Sequence, residues 1–323
     1  MIDLGRSRPV GILVGFLADA LLADPRRGHP VAGFGWCATG LEALSYRDSR
    51  VAGVVHTAVL VGGMTGAAAV TQHRIRHRWV RAGIIAAATW VALGGTTLAR
   101  TGSQMADMLE AGDLDAARAL LPSLCGRDPS VLDSPGLARA ACESVAENTS
   151  DAQVAPLFWA ALAGAPGVLA YRAVNTLDAM IGNRSARYAR FGWAAARLDD
   201  LANYVPARLT GALVLACAPL AGGSPIRAAR AWRRDAARHP SPNAGIPEAT
   251  FAGALGVRLG GPTQYRYQLE IRPTLGDGPA PGAVELRRAV LLSRLVQAAA
   301  LAVALMVSAV GHRADRQRLR PPR

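Results

Sequence analysis

The sequence predicts a mostly α-helical, multi-pass integral membrane protein, and two features of its composition support this class. Hydrophobic residues make up 51% of the 323 residues, and the mean hydropathy is positive, at +0.18. Aromatic residues account for only 5%, so the apolar side chains are mostly small ones, which let helices approach closely in lipid. We expect one integral membrane domain over 1–323, with a polar insert at 99–151 and a proline- and arginine-rich polar loop at 223–288.

Three long apolar stretches predict membrane-spanning helices. They cover 51–70, 82–98 and 289–310, and each is near the about 17–25 residues that a bilayer span requires. The run over 9–23 is shorter and is interrupted by Asp19; we interpret it as a retained membrane segment and not as a cleaved signal peptide. Because several loops are rich in arginine, a simple alternation of spans cannot place all of them in the cytoplasm. The number of spans and the topology therefore stay open.

A further apolar stretch, 152–171, predicts a broken helical hairpin, since it contains the helix-interrupting residues Gly164 and Pro166. A complete crossing would place Asp151 and Asp178 on opposite faces of the bilayer, whereas a hairpin that enters and returns would keep them on one side. Irregular backbone is tolerated at membrane depth where it lines a protein-buried cavity. We therefore favour the re-entrant hairpin over a complete crossing.

The charge composition excludes several mechanisms. The net charge is +13, and because the sequence contains no lysine, all 36 basic residues are arginine. A Walker A loop, Schiff-base chemistry and a lysine nucleophile are therefore excluded. Phosphate groups must be held by arginine, by backbone N–H groups or by a metal ion. Since the arginines lie beside apolar spans with little aromatic interleaving, we expect them to face anionic lipids and anionic substrates, and no nucleic acid.

The first polar cluster lies just before the predicted hairpin. Glu143, Glu147 and Asp151 are spaced i, i+4 and i+8, which places three carboxylates along one helix face. Their mutual repulsion favours a bound cation, and hard oxygen ligands suit Mg²⁺. We interpret Glu143 as structural, on a solvated face or in a capping pattern. Glu147, Asn148 and Asp151 adjoin the apolar hairpin, and we interpret them as functional.

The second cluster consists of Asn175 and Asp178, spaced i, i+3 on one helix face after the hairpin. Taken alone, its Asn-Thr start could equally be a helix-capping pattern.

The third cluster runs from Arg197 to Arg208. Asp199 and Asn203 are spaced i, i+4, and Asp200 directly follows Asp199. Adjacent aspartates near a membrane span, with an arginine before and after them, suit a site for Mg²⁺ and phosphate better than a structural ion pair.

Two turn-rich patches complete the set of candidate residues. One contains Asp24 and His29, and the other contains Asn243 and Glu248. Proline and glycine in both patches set sharp bends, so the residues by themselves indicate turns.

Taken together, these blocks resemble the membrane-bound adenosylcobinamide-phosphate synthases of cobalamin biosynthesis. The resemblance covers nearly the whole chain and includes, in order, Asp24-Pro with His29-Pro-Val, Glu143-Ser-Val-Ala-Glu-Asn-Thr, Tyr171-Arg-Ala-Val-Asn-Thr-Leu-Asp, Arg197-Leu-Asp-Asp-Leu-Ala-Asn-Tyr-Val-Pro-Ala-Arg and Asn243-Ala-Gly-Ile-Pro-Glu-Ala. The sequence departs from the family pattern at Ala152, where glycine is usual, and at Met180, where serine is common. Neither change removes a charged group.

The resemblance implies an amide-forming ligase. Such an enzyme would join the free propionate of adenosylcobyric acid to the amine of (R)-1-aminopropan-2-ol or of its O-phosphate, with ATP as co-substrate and Mg²⁺ as cofactor. The corrinoid is a substrate here and not a resident cofactor. We expect a cell-membrane protein whose active site faces the cytoplasm, with other late cobalamin-pathway enzymes as possible partners.

On this basis we hypothesise a role for each candidate residue. The residues expected to hold Mg²⁺ are Asp178, Asp199 and Asp200. The residues expected to act as a second ligand or as a base are Glu147 and Asp151. The remaining residues are assigned to substrate binding, with the arginines on phosphate groups: Arg197, Arg208, Asn148, Asn175, Asn203, Asp24, His29, Asn243 and Glu248.

Two other functions would account for parts of this pattern. A Mg²⁺-dependent membrane transferase acting on a diphosphate or lipid substrate would use the same aspartates, but such enzymes typically have denser Asp-x-x-x-Asp repeats. A transporter would need two halves with matching interrupted helices. Only one broken hairpin is evident in the sequence.

Overall fold

The structure, a computed structural model, describes residues 7–25, 28–183, 185–264 and 269–318. Within these ranges the chain is mostly helical, as the sequence predicts. The α-helices are α1 (Ser7–Leu22), α2 (Pro30–Ser45), α3 (Arg50–Arg74), α4 (Arg78–Ala92), α5 (Gly95–Glu110), α6 (Leu114–Leu120), α7 (Ser134–Thr149), α8 (Ala155–Ile181), α9 (Tyr188–Phe191), α10 (Trp193–Cys217), α11 (Pro225–Asp235), α12 (Gly245–Leu255) and α13 (Ala283–Arg318). Two antiparallel strands, β1 (Leu259–Gln264) and β2 (Leu269–Leu275), lie between α12 and α13.

Five helical segments in the described residues are long and apolar enough to cross a membrane. They are Arg50–Arg74, Arg78–Glu110, Ser134–Ile181, Trp193–Ala221 and Ala283–Val310. This confirms the predicted multi-pass membrane class. Helix α1 has only 16 residues and is not among the five.

The second predicted span, 82–98, is not one continuous helix. Helix α4 ends at Ala92, and Leu93 has an extended backbone with ψ 153° before α5 begins at Gly95. The apolar pattern continues across this break, which is why the sequence did not reveal it.

The chain folds into two compact units. The first comprises 1–94, 155–203 and 300–323, and the second comprises 95–154 and 204–299.

In the first unit, α1 packs against α4 through two glycines one helical turn apart. A Cβ at Gly11 would lie 2.7 Å from the carbonyl oxygen of Ala82, and a Cβ at Gly15 would lie 2.6 Å from that of Ala86. Small residues at this spacing let two backbones approach closely, as in the small-xxx-small pattern of membrane helices.

Helix α8 is broken at Gly164, which has φ 66° and ψ −144°. A Cβ at Gly167 would lie only 2.6 Å from the carbonyl oxygen of Trp159, eight residues earlier. This close approach shows that the chain folds back at the break. Ala155 and Tyr171, one on each arm, belong to the same buried cluster. The predicted broken hairpin is therefore confirmed, while its entry into and return from the membrane stays a prediction.

The break leaves a backbone N–H without its helical hydrogen-bond partner. The N–H of Ala165 donates to the side-chain oxygen of Gln72 in α3, at 3.1 Å. A buried amide with a partner is far less costly than one without, so Gln72 stabilises the break.

In the second unit, the region 223–288 is folded and is not simply a polar loop. Every residue of α12 is buried. The carboxylate of Asp235, at the end of α11, accepts a hydrogen bond from the N–H of Gly276 at 2.9 Å and pairs with Arg234. The contact with Gly276 joins the end of α11 to the residue that follows β2.

The first half of α13 also belongs to the second unit and packs there against α7 and its continuation. Ser293 of α13 lies 2.7 Å from the Thr149 hydroxyl and accepts a hydrogen bond from the Gln153 amide at 2.9 Å. All three side chains are buried.

We expect Gly164→Ala to lower the free energy of unfolding by about 1–3 kcal/mol, because only glycine readily adopts this backbone conformation. An added Cβ would also lie 2.8 Å from the Gln72 oxygen. The matched control is Gly63→Ala in α3, where no atom lies within 4 Å of an added Cβ. Thermal unfolding midpoints of both variants in detergent check this, and equal midpoints would contradict the role given to Gly164.

Candidate functional site

The centre of the polar network in the first unit is Asp199. Its two oxygens accept hydrogen bonds from the side-chain amides of Asn203, at 3.0 Å, and of Asn175, at 3.4 Å. Asn203 is itself oriented by the hydroxyl of Tyr171, which donates to its side-chain oxygen at 2.9 Å. Helices α8 and α10 therefore bring the second and third predicted clusters together around one half-buried carboxylate.

Two further aspartates act on Asp199 through their charges. Both Asp178 and Asp200 are half-buried and close enough for electrostatic repulsion with Asp199. Asp178 also lies in the last turn of α8, where the helix dipole disfavours a negative charge. Arg197 offsets part of this charge, since its guanidinium lies 2.9 Å from the Asp200 carboxylate.

The three aspartates can be tested as a magnesium site by their chemistry. In the described ranges no group of three or more His, Cys, Asp and Glu side chains is arranged to hold a metal ion. Mg²⁺ is, however, commonly bound by one or two carboxylates together with water and substrate phosphates. The donor set around Asp199 fits that kind of shared site and does not form a closed protein cage.

In the second unit, Glu143 is a buried structural residue. It is 2% exposed, forms an ion pair with the buried Arg127 and accepts a hydrogen bond from the N–H of Gly260 at 2.7 Å. Arg139, one turn before Glu143, donates to the carbonyl oxygens of Gly260 and Pro262, both at 2.7 Å. The structural interpretation of Glu143 holds, but the expected solvated face was wrong, because Glu143 anchors β1 to α7.

The predicted line of three carboxylates is also interrupted. Helix α7 ends at Thr149, and residues Ser150–Val154 form a π-helix, so Glu143 and Glu147 lie on the α-helix while Asp151 lies in the π-helical segment. Asn148 is half-buried, and its amide donates to the carbonyl oxygen of Ser144 at 2.9 Å. Short π-helical segments often occur at functional sites.

Glu248, in the first turn of α12, is the most unusual carboxylate in the second unit. It is 1% exposed, and neither of its oxygens has a hydrogen-bond partner among the described residues. The nearest cationic or titratable nitrogens are Nε2 of His239, at 3.6 Å, and a guanidinium nitrogen of Arg272, at 3.9 Å. Burial, reinforced by the negative charge of Glu147, raises the pKa of Glu248 to about 8.

His239 is neutral at physiological pH in this setting. Burial lowers the pKa of its imidazole, and the positive charge of Arg272 lowers it further. Its other ring nitrogen accepts a hydrogen bond from the N–H of Ser241 at 3.0 Å.

Arg208 and Asn243 are joined in the second unit. The Arg208 guanidinium lies 3.5 Å from the centre of the Tyr204 ring and donates to the side-chain oxygen of Asn243 at 3.4 Å. This contact joins two of the candidate substrate-binding residues, and their roles in binding stay predictions.

Asp24 and His29 lie at the start of α2 in the first unit. The imidazole Nδ1 of His29 caps the helix by accepting from the N–H of Val31 at 3.1 Å, and Nε2 lies 3.5 Å from the Asp24 carboxylate. These contacts give both residues a structural role, and their substrate-binding role stays a prediction.

The chain matches a known family over most of its length. The family model described as "CobD/Cbib protein" matches residues 12–293. The chain belongs to the CobD/CbiB family. No solved structure matches it.

Curated relatives of this family member come from distant bacteria and carry one name. The "Cobalamin biosynthesis protein CobD" of Mycobacterium bovis is 64% identical over 307 residues, which cover 94% of this chain and 97% of that protein. The proteins of that name from Geobacter metallireducens and Rhodobacter capsulatus are 46% and 43% identical, and each alignment covers 84% of this chain and 87% of the relative. The resemblance read from the sequence is thereby confirmed, and the chain is a cobalamin biosynthesis enzyme.

Three residues of this CobD/CbiB protein that shape the site were missed from the sequence: Arg127, His239 and Arg272. Arg127 and Arg272 lie outside the recognisable blocks, and nothing in their local sequence signals contact with Glu143 or Glu248. His239 lies four residues before Asn243. This short distance in the sequence was the one feature that could have pointed to His239 as part of the site.

The pH dependence of stability tests the environment of Glu248. Its pKa rises from 4.5 in the unfolded chain to about 8 in the folded protein. Between these values the folded protein holds a proton that the unfolded chain has released, so raising the pH destabilises the fold by at most about 1.4 kcal/mol per pH unit. The contribution is fully present below pH 4.5 and is lost as the pH rises through 8.

Glu248→Gln removes this titration. We expect its stability relative to the unmodified protein to increase from pH 5 to pH 8 and to level off above it, as measured by unfolding midpoints in detergent at each pH. A difference that is constant across this range would show that Glu248 is not buried in this way.

Proposed function

We propose that this protein catalyses the ATP- and Mg²⁺-dependent ligation of the free propionate of adenosylcobyric acid to the amine of (R)-1-aminopropan-2-ol or of its O-phosphate. The observation that supports this most directly is the group of three aspartates around Asn175 and Asn203, in a chain of a cobalamin biosynthesis family. Three carboxylates that repel one another at an apolar helix pair are retained at a cost, and a bound cation would offset that cost.

The reaction needs activation of a carboxylate. A carboxylate is a poor electrophile, so one of its oxygens attacks the γ-phosphorus of ATP, which gives an acyl phosphate and ADP. The amine then attacks the acyl carbon, the C–O bond to phosphate breaks, and inorganic phosphate leaves. One proton from the attacking nitrogen passes to a carboxylate base.

In the first unit the chain would bind phosphate through a metal ion. Mg²⁺ would neutralise the charge that develops on the transferred phosphoryl group. Asp178, Asp199 and Asp200 would supply oxygen ligands, and the amides of Asn175 and Asn203 hold Asp199 in one orientation. Arg197, already paired with Asp200, adds positive charge beside a bound phosphate.

In the second unit we keep Glu147 and Asp151 as candidates for the base, because both are half-buried at the end of α7 and in the π-helix. Arg208 is assigned to a phosphate group of substrate. The active site is proposed to face the cytoplasm, where ATP is available.

The assay uses membranes that contain this protein, with adenosylcobyric acid, aminopropanol O-phosphate, ATP and Mg²⁺, and detects the amide by mass. We expect ATP-dependent product from the unmodified protein. Loss of a metal ligand removes several kcal/mol of charge stabilisation, so Asp200→Asn and Asp178→Asn should lower turnover by roughly 100-fold or more.

The matched control is Asp115→Asn. Asp115 also forms an i, i+3 ion pair, with Arg118 at 3.1 Å, but it is almost fully exposed, so turnover should be unchanged. Normal turnover of both Asp178→Asn and Asp200→Asn would reject the metal assignment. Absence of amide from well-folded unmodified protein would reject the ligase and favour a Mg²⁺-dependent transferase.

A further inference from the structure

Glu248 is a buried carboxylate in need of hydrogen-bond donors. Its side chain is 1% exposed, and both oxygens lack a hydrogen bond from any described residue. Buried polar groups in folded proteins almost always have partners, and an exception indicates a strained, catalytic or ligand-binding position. Since α12 is buried along its whole length, Glu248 cannot turn towards solvent to find such partners.

The groups around Glu248 come from three other segments. Glu147 lies on α7, and its negative charge acts on Glu248. Arg272 lies on β2, and His239 precedes the turn that leads into α12. Arg127 also acts on Glu248, but its guanidinium is paired with Glu143.

The charges at this position do not balance within the described residues. Arg272 is shared between Glu248 and Glu270, whose carboxylate lies 3.6 Å from its Nε. Burial and Arg272 lower the pKa of His239, so the imidazole brings no positive charge. Glu147 together with an ionised Glu248 would therefore place two negative charges at a position where Arg272 supplies only part of one positive charge.

A primary ammonium group has the complementary chemistry. It carries one positive charge and three N–H donors and no acceptor, whereas the carboxylates supply acceptors only. Glu147 is half-buried, so part of its side chain is open to solvent.

We propose that Glu147 and Glu248 form the binding subsite for the primary ammonium group of the amino-alcohol substrate. This inference rests on the proposed function for the identity of that substrate. It assigns Glu248 a specific ligand, where the sequence indicated only substrate binding.

Binding should be accompanied by release of a proton. With a pKa of about 8, Glu248 is largely protonated at pH 7 in the unliganded protein. A bound ammonium supplies positive charge and donors, so Glu248 ionises and its proton passes to the buffer. The groups that face Glu248 are Glu147, Arg272, His239 and Arg127.

The test is calorimetric titration of the purified full-length protein in detergent at pH 7, with (R)-1-aminopropan-2-ol as the probe. Propane-1,2-diol, which lacks the amine, is the matched ligand, and two buffers of different ionisation enthalpy report the protons released. We expect the amine and not the diol to bind, with release approaching one proton. Because a charged partner is lost, Glu248→Gln and Glu147→Gln should each weaken binding at least about 10-fold.

Glu270→Gln is the matched control. It removes a partly exposed carboxylate from the same arginine, and this carboxylate is not among the charges that act on Glu248, so binding should be retained. Glu248→Gln should also abolish proton release, which a merely structural role would not do. If Glu248→Gln fails to fold, the half-buried Glu147→Gln carries the test. Equal binding of amine and diol, or unchanged amine binding in the folded glutamine variants, would overturn the subsite.

The outcome is independent of the ligase assay. Amine binding lost in Glu248→Gln, in a protein that forms no amide, would support the subsite and reject the proposed reaction. Amide formation with an unchanged KM for the amine in both glutamine variants would reject the subsite and leave the ligase intact.

Discussion

Glu143 and Arg127 form an ion pair that is almost completely removed from solvent, and the second unit is organised around it. The same carboxylate receives the N–H of Gly260, which fixes β1 against α7. Because β2 pairs with β1, this contact also determines where Arg272 lies relative to Glu248. Removing one partner of such a pair leaves an uncompensated buried charge, so loss of either Glu143 or Arg127 is expected to destabilise the fold strongly.

The two polar clusters differ in how their carboxylates are satisfied. Asp199 receives two amide hydrogen bonds from within the protein and is thereby held in one orientation. Glu248 has the opposite character, since it is more deeply buried and has no hydrogen bond from the described residues. The first arrangement suits a preorganised ligand to a metal–phosphate group, and the second suits a site completed by a cationic substrate.

Much of the fold could be predicted because it depends on local features. Apolar length predicted three of the five candidate spans, and the glycine and proline residues of 152–171 predicted the break that occurs at Gly164. Helical spacing predicted that Asn203 would meet Asp199. The contacts that could not be predicted join residues far apart in the chain, such as Glu143 with Gly260, or depend on a change of helix type, as at Ser150–Val154. No periodicity or motif encodes either of these, because both are decided by tertiary packing.

Transfer of oxygen from the corrinoid carboxylate tests the central chemical claim most directly. The free propionate of adenosylcobyric acid would be labelled with ¹⁸O at both oxygens, and the products of a turnover with ATP and aminopropanol O-phosphate analysed by mass. We predict that one labelled oxygen appears in inorganic phosphate and the other in the amide carbonyl, since the acyl phosphate loses its bridging oxygen with the phosphate. Label in AMP, or loss of the second labelled oxygen to water with none in phosphate, would contradict activation through an acyl phosphate.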